Sequence, residues 1–154
     1  MTRTAVAIQP TADMGLVRDL LRDRRAYAHM RNDAAPARQD FTVRNDGSFQ
    51  AVLAMEDGAA VGVFLIVPRG AEAEIHFSFL PSVWGRTLEL AQAFLRWTWI
   101  HTAFTRLSGP VPSYNRTALK LALAAGFVRC GIEKNAGLRH GKPFDRILTE
   151  AIRP

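Results

Sequence analysis

The chain carries one cysteine, Cys130, in 154 residues. An internal disulfide is therefore excluded, and the composition fits a reducing compartment. Cys130 lies in an apolar strand pattern with no evident base beside it, so it is expected as a small packing residue. No apolar run reaches membrane-spanning length, because the longest, residues 59–67, is short and interrupted by Gly62. Residues 1–10 contain no stretch of signal-peptide length, so a soluble, cytoplasmic protein without membrane partners is expected. There is no Gly-x-Ser-x-Gly elbow and no Walker loop, which leaves hydrolase and nucleotidase readings unsupported. His29, His101 and His140 have no metal-like spacing with one another or with Cys130, so no metal site is expected. Internal repeats, low-complexity tracts and linkers are absent too. One domain over residues 1–154 is the reading that follows.

What is present is ample apolar material and positive charge. Hydrophobic residues make up 48% of the chain, enough for a core without covalent staples. The formal charge is +6, from 20 basic and 14 acidic residues. Such a surplus suits a polyanion, either nucleic acid or a phosphorylated cofactor, or simply a solvated surface. The densest cluster, Arg18, Arg22, Arg24 and Arg25, alternates with Asp19 and Asp23, as on the outer face of a helix. No aromatic-basic face appears, so nucleic acid is the weakest partner reading.

Residues 4–8 alternate as a short strand ended by Pro10, with Thr11 as the cap of a helix running to about Met30. Residues 32–39 read as a loop. Strands follow over 49–55 and 60–67, joined by the turn Glu56-Asp57-Gly58. A third strand over 73–80 places Ile75, Phe77 and Phe79 on one face and Glu74, His76 and Ser78 on the other. After a break at 81–87, a helix over 88–104 is apolar around most of its circumference and is expected to be largely buried against a sheet. Trp97 and Trp99 on it are expected to pack, Trp99 being also a candidate contact for the second subunit of a homodimer. A strand at 107–111 precedes a helix over 116–125 with Asn115 as N-cap and Gly126 just past its end. Two strands, 127–133 and about 144–152, close the chain. The pattern predicts an α/β fold, a mixed sheet with helices packed on it.

Two stretches in that order resemble the GNAT superfamily of N-acyltransferases. Residues 73–105 are similar to its acetyl-CoA segment, and Pro112-Ser113-Tyr114-Asn115 through the Gly126-Phe127 pair is similar to its strand-helix-GF segment. Phage-encoded GNAT-like proteins are similar too, with a His on the strand before the loop and a Pro-x-x-Asn helix opening. The resemblance implies a mostly antiparallel central sheet with helices on both faces. It implies acetyl-CoA as donor and a small-molecule or protein amine as acceptor, the latter lined by residues 26–41. In that comparison the coenzyme diphosphate sits over Val83, Trp84, Gly85, Arg86 and Thr87, with Arg86 adding charge, and Asn115 is a further contact. The pantetheine amides pair with the Phe79 and Leu80 main chain. A base for the acceptor falls on His76 or Glu74; imidazole changes charge in the neutral range, which suits the task. The resemblance departs at two points. The loop Ser82-Val83-Trp84-Gly85-Arg86-Thr87 keeps only the central glycine of the family pattern, and Ala122 stands where many members have a Tyr general acid. Tyr114 is the nearest substitute. An N-acetyltransferase and a GNAT-fold binding or phage-assembly protein without efficient catalysis both remain open on this basis.

Overall fold

The computed structural model describes residues 5–154; the Thr4 end of the first expected strand lies outside them. Seven strands form one sheet in the order β1-β2-β3-β4-β5-β7-β6. They are β1 (Val6–Thr11), β2 (Gln50–Glu56), β3 (Ala59–Arg69), β4 (Glu72–Phe79), β5 (Arg106–Pro112), β6 (Val128–Arg139) and β7 (Lys142–Ile152). Every neighbouring pair is antiparallel except β4 and β5. Three hairpins have two-residue turns, and in two of them, Asp57-Gly58 and His140-Gly141, all four residues are at positive φ as a turn of this hand requires.

Helices α1 (Met14–Leu21) and α2 (Arg24–Met30) cover one face, and α3 (Thr87–His101) and α4 (Arg116–Ala125) the other. The split follows strand alternation. Ala51, Leu53 and Val63 meet Val17, Leu20 and Leu21, while Val52, Phe64 and Ile66 meet Leu90, Phe94 and Leu121. At the centre of the second core Phe64 and Phe94 stack with centroids 4.0 Å apart. Burying Phe94 alone contributes roughly 1.5–3 kcal/mol.

Several boundaries differ from the sequence reading. β1 continues through Pro10, which an edge strand tolerates because a missing N–H on its outer side breaks no ladder bond. Asp13, not Thr11, caps α1, its carboxylate accepting from the Leu16 amide at 3.0 Å. The expected single helix to Met30 is two, because the Asp23 carboxylate accepts from the Arg25 and Ala26 amides and starts α2 afresh. The break at residues 81–87 is a 3₁₀ turn over Pro81–Arg86. α3 is less enclosed than its composition suggests: Leu90, Ala91, Phe94 and Thr98 are buried, whereas Ile100 is 75% exposed. Cys130 is exposed on β6 rather than packed. Trp99 lies beneath the Arg153 guanidinium at 5.0 Å.

Candidate active site

β4 and β5 pair only from Glu72↔Arg106 to Glu74↔Ser108 and then part. The cause is in β5 itself. Gly109 and Val111 bond to β7, so the residues between them turn their main chain toward β4. Those residues are Pro110 and Pro112, which have no N–H to donate. On the facing strand the Leu80 amide donates to the Val61 carbonyl at 2.8 Å, which fixes the β3–β4 register. Even-numbered residues of β4 therefore bond to β3, and the main chains of Phe77 and Phe79 face the open seam. The seam has donors and acceptors on one edge and only carbonyls on the other. A cleft of about 620 Å³ opens around it, walled by Ile75–Phe79, Gly109–Pro112, α3, α4 and the α2 end.

A mixed seven-stranded sheet parted at its one parallel pair is a recognisable architecture. No protein-family model matches the sequence, and no curated protein matches it. Solved structures do. Spermidine N-acetyltransferase from Vibrio cholerae, in complex with CoA and spermine, superposes with a TM-score of 0.74 at 13% identity, over 97% of this chain and 95% of that one. Ribosomal-protein-S5-alanine acetyltransferase from Vibrio fischeri gives 0.73 at 15% identity, over 99% and 94%. An acetyltransferase of the GNAT family from Streptococcus pneumoniae gives 0.73 at 17% identity, over 96% and 99%. The chain has the GNAT fold. At these identities the likeness settles the architecture, as the strand and helix order predicted.

Within this GNAT fold the residues singled out from sequence separate into three groups. The first gathers at the cleft. His76 lines it, its Nε2 2.7 Å from Glu74 Oε1, and Glu74 is held in turn by Arg69 at 3.2 Å. Thr87, the first residue of α3, lines it as well. So does Asn115, which caps α4 through the Ala118 amide at 3.2 Å. Phe79 contributes its ring to the core and the cleft wall. Trp84 lies across the mouth, 38% exposed. Its indole N–H donates to the Phe79 carbonyl at 3.0 Å, with the Arg25 guanidinium 4.9 Å from its ring centre and the His29 ring at 5.8 Å.

The second group is turned away from the seam. Leu80 has its amide on Val61 and its carbonyl on the Val83 amide, so Phe77 rather than Leu80 is the partner of Phe79 on the open edge. Val83 is 1% exposed and is a core residue. Arg86 forms a two-point ion pair with Glu56, and that hydrogen bonding raises its already high pKa. Gly85 sits in the 3₁₀ turn, and a Cβ built on it would meet nothing within 4 Å.

Tyr114 forms the third group. It is not among the cleft-lining residues. Its hydroxyl donates to the Met30 carbonyl at 2.7 Å, and its ring lies under the Arg139 guanidinium at 4.0 Å. Burial pushes the phenol pKa up, opposed by Arg139. Together with Asp33, whose carboxylate accepts from the His140 and Gly141 amides, Tyr114 ties the end of α2 to the β6–β7 hairpin. Met30 and Phe41, within the 26–41 stretch expected on the acceptor side, line the cleft at the α2 side, and Pro110 and Pro112, which the sequence reading did not single out, open it. The alternating prolines inside a strand were a readable signal for that opening.

Proposed function

We propose that the protein is an N-acetyltransferase that moves an acetyl group from acetyl-coenzyme A to a primary amine. The open seam between β4 and β5, with His76 at its margin, carries this reading. A pantetheine arm is an extended chain with two amides, and the Phe77 main chain and the Phe79 amide offer the open edge such a chain pairs with, Trp84 holding the Phe79 carbonyl. The first turn of α3 has no side-chain cap, and a diphosphate beside Thr87 would accept from those amides that the preceding 3₁₀ turn does not engage. With Arg86 held by Glu56, main-chain groups carry that contact. The neighbour crystallised with CoA and spermine supports a coenzyme A donor and an amine acceptor.

Bound there, the coenzyme supplies a thioester carbonyl open to attack by an amine. His76 takes the proton the amine must lose. With Nε2–H donated to the Glu74 carboxylate, Nδ1 keeps the lone pair that accepts it. Glu74, braced by Arg69, orients the ring and stabilises the imidazolium once formed. The C–N bond forms, the C–S bond breaks, and the proton leaves through His76 while the thiolate is protonated from solvent. A seam-edge amide left free by the arm would donate to the reacting carbonyl. Release of free CoA thiol over an amine panel tests the reading. His76→Ala is expected to lower kcat by about 10²–10⁴-fold while acetyl-CoA binding persists. Unchanged turnover in that variant removes His76 from the mechanism.

One observation favours a second reading, a GNAT-fold binding protein without efficient turnover. The Trp84 indole already occupies the Phe79 carbonyl, and Ala122 leaves no acid near the leaving thiol. Micromolar acetyl-CoA binding with no thiol release for any amine would select it.

A further inference from the structure

We infer that the acceptor amine is a monoamine on an apolar body, aromatic or branched alkyl, and that polyamines and lysine-rich peptides are poor substrates. This rests on the acyl-transfer reading above and names the substrate class of the same cleft. Among the described residues, those lining the cleft include no Asp, Glu, Lys or Arg. Leu21 of α1, Ala26 and Met30 of α2, Leu65 of β3 and Phe41 from the segment before β2 form one wall, and the cleft's titratable side chains are His29 and His76. A polyamine brings a second ammonium several ångströms from the reacting one. Inside this cleft that ammonium would lose its water and find no carboxylate in exchange.

The carboxylates of Glu74 and Asp33 are already engaged. Glu74 is shared between His76 and Arg69. Asp33 takes the His140 and Gly141 amides at 2.8 and 2.9 Å. The cations near the mouth are anchored. Arg22 Nε donates to the Phe41 carbonyl at 2.7 Å, Arg38 donates to the Arg22 carbonyl at 2.9 Å, and Arg25 lies over Trp84. These guanidiniums repel a multiply charged substrate more than one that carries a single amine. An apolar body gains from the Leu21, Met30 and Phe41 surface what a polyamine cannot.

The test uses the full chain with acetyl-CoA and follows thiol release with 2-phenylethylamine and isoamylamine against spermidine and a lysine-rich peptide. We expect kcat/KM for at least one monoamine to exceed that for spermidine tenfold or more. Met30→Glu sets a carboxylate on the apolar wall and is expected to shift the ratio toward spermidine by tenfold or more. Equal or better turnover of spermidine by the unaltered protein overturns the inference and leaves acyl transfer standing. A ratio unmoved by Met30→Glu overturns it too, as does acetyl-CoA binding with no amine consumed. Absence of both acetyl-CoA binding and thiol release sinks the acyl-transfer reading itself.

Discussion

Gly62 is where the sheet is least able to accept a side chain. A Cβ there would lie 2.6 Å from Phe79 Cδ1 and 3.0 Å from the Ser78 carbonyl oxygen. The Ser78 oxygen is main chain and does not yield. Phe79 is 5% exposed and packs edge-on against Phe64 at 5.5 Å and tilted against Phe77 at 5.4 Å, so its ring can yield only toward the cleft it lines, at the expense of those contacts. Two effects compete in Gly62→Ala. Replacing glycine in a strand stabilises by about 0.4–1 kcal/mol through the unfolded chain. Overpacking a tight core costs about 1–3 kcal/mol. The contact is closer than side chains ordinarily tolerate, so the cost wins, and a net loss of about 1–2 kcal/mol is expected. For a chain of this size that lowers Tm by roughly 2–8 °C, measured by calorimetry or circular dichroism. Because the Phe79 main chain borders the seam, acetyl-CoA affinity should fall with it. Gly85→Ala is the counterpart. Its Cβ meets nothing and its φ is not positive, so stability should hold or rise by about 0.4–1 kcal/mol. Any loss of acetyl-CoA binding in that variant would then report a ligand lying against residue 85. A Gly62→Ala protein as stable as the parent would refute the packing argument.

Two further outcomes concern the frame around the cleft. Arg153 donates to the Trp99, Thr102 and Phe104 carbonyls at 2.7–2.8 Å and closes the C-terminal end of α3. Arg153→Met should cost about 1–3 kcal/mol in urea unfolding, water replacing part of what is lost, and a change under about 0.5 kcal/mol would discount the clamp. The His140 and Gly141 amides hold the Asp33 carboxyl below its ordinary value of 3.8. The sign follows: the carboxylate's contribution is complete above that ordinary value and disappears as pH falls through the lower folded one. Amide exchange at His140 and Gly141, corrected for intrinsic rates, should quicken only in that acid range, and at neutral pH in Asp33→Ala. Protection independent of pH and of that substitution would show that Asp33 does not hold the hairpin tip.

The parts of this fold that were legible in the sequence are those decided by local chemistry. Asn115 and Gly126 bracket α4 where a capping amide and a left-handed glycine must stand, and the structure has both. Asp57-Gly58 and His140-Gly141 turn their hairpins for the same local reason. The break between α1 and α2 was less visible, since apolar residues keep helical spacing across it and only the Asp23 side chain diverts the main chain. Burial was the weakest inference. Ile100 faces outward near the end of α3, and Cys130 falls at the register shift between Arg129 and Gly131 on β6, the outermost strand, and no local apolar pattern encodes either placement. Tyr114 illustrates the same limit at the site. Its neighbour in sequence caps α4, but its hydroxyl is fixed by Met30, 84 positions away, a contact no local pattern encodes.

The cleft itself is written more plainly than these residues suggest. In Gly109-Pro110-Val111-Pro112 the prolines fall at alternate positions, so they delete donors along one edge of β5 and leave the other intact. The intact edge is held firmly. Gly109 pairs with Thr149, whose buried hydroxyl donates to the Gly109 carbonyl at 2.6 Å. A Cβ on Gly109 would come within 3.0 Å of that hydroxyl oxygen, so the close approach requires glycine there. β5 is thus bound to β7 and lacks the donors for half of a ladder to β4. The seam is therefore a property of the chain before any ligand arrives. Whatever fills it must accept from or donate to Phe77 and Phe79 on one side, and can only donate to carbonyls on the other. An amide-bearing extended chain meets both conditions, and a third strand of the ordinary kind would meet them equally. What distinguishes a thioester carrier is the reactive end it would bring toward His76, which is why the imidazole, more than the opening, decides between transfer and mere binding.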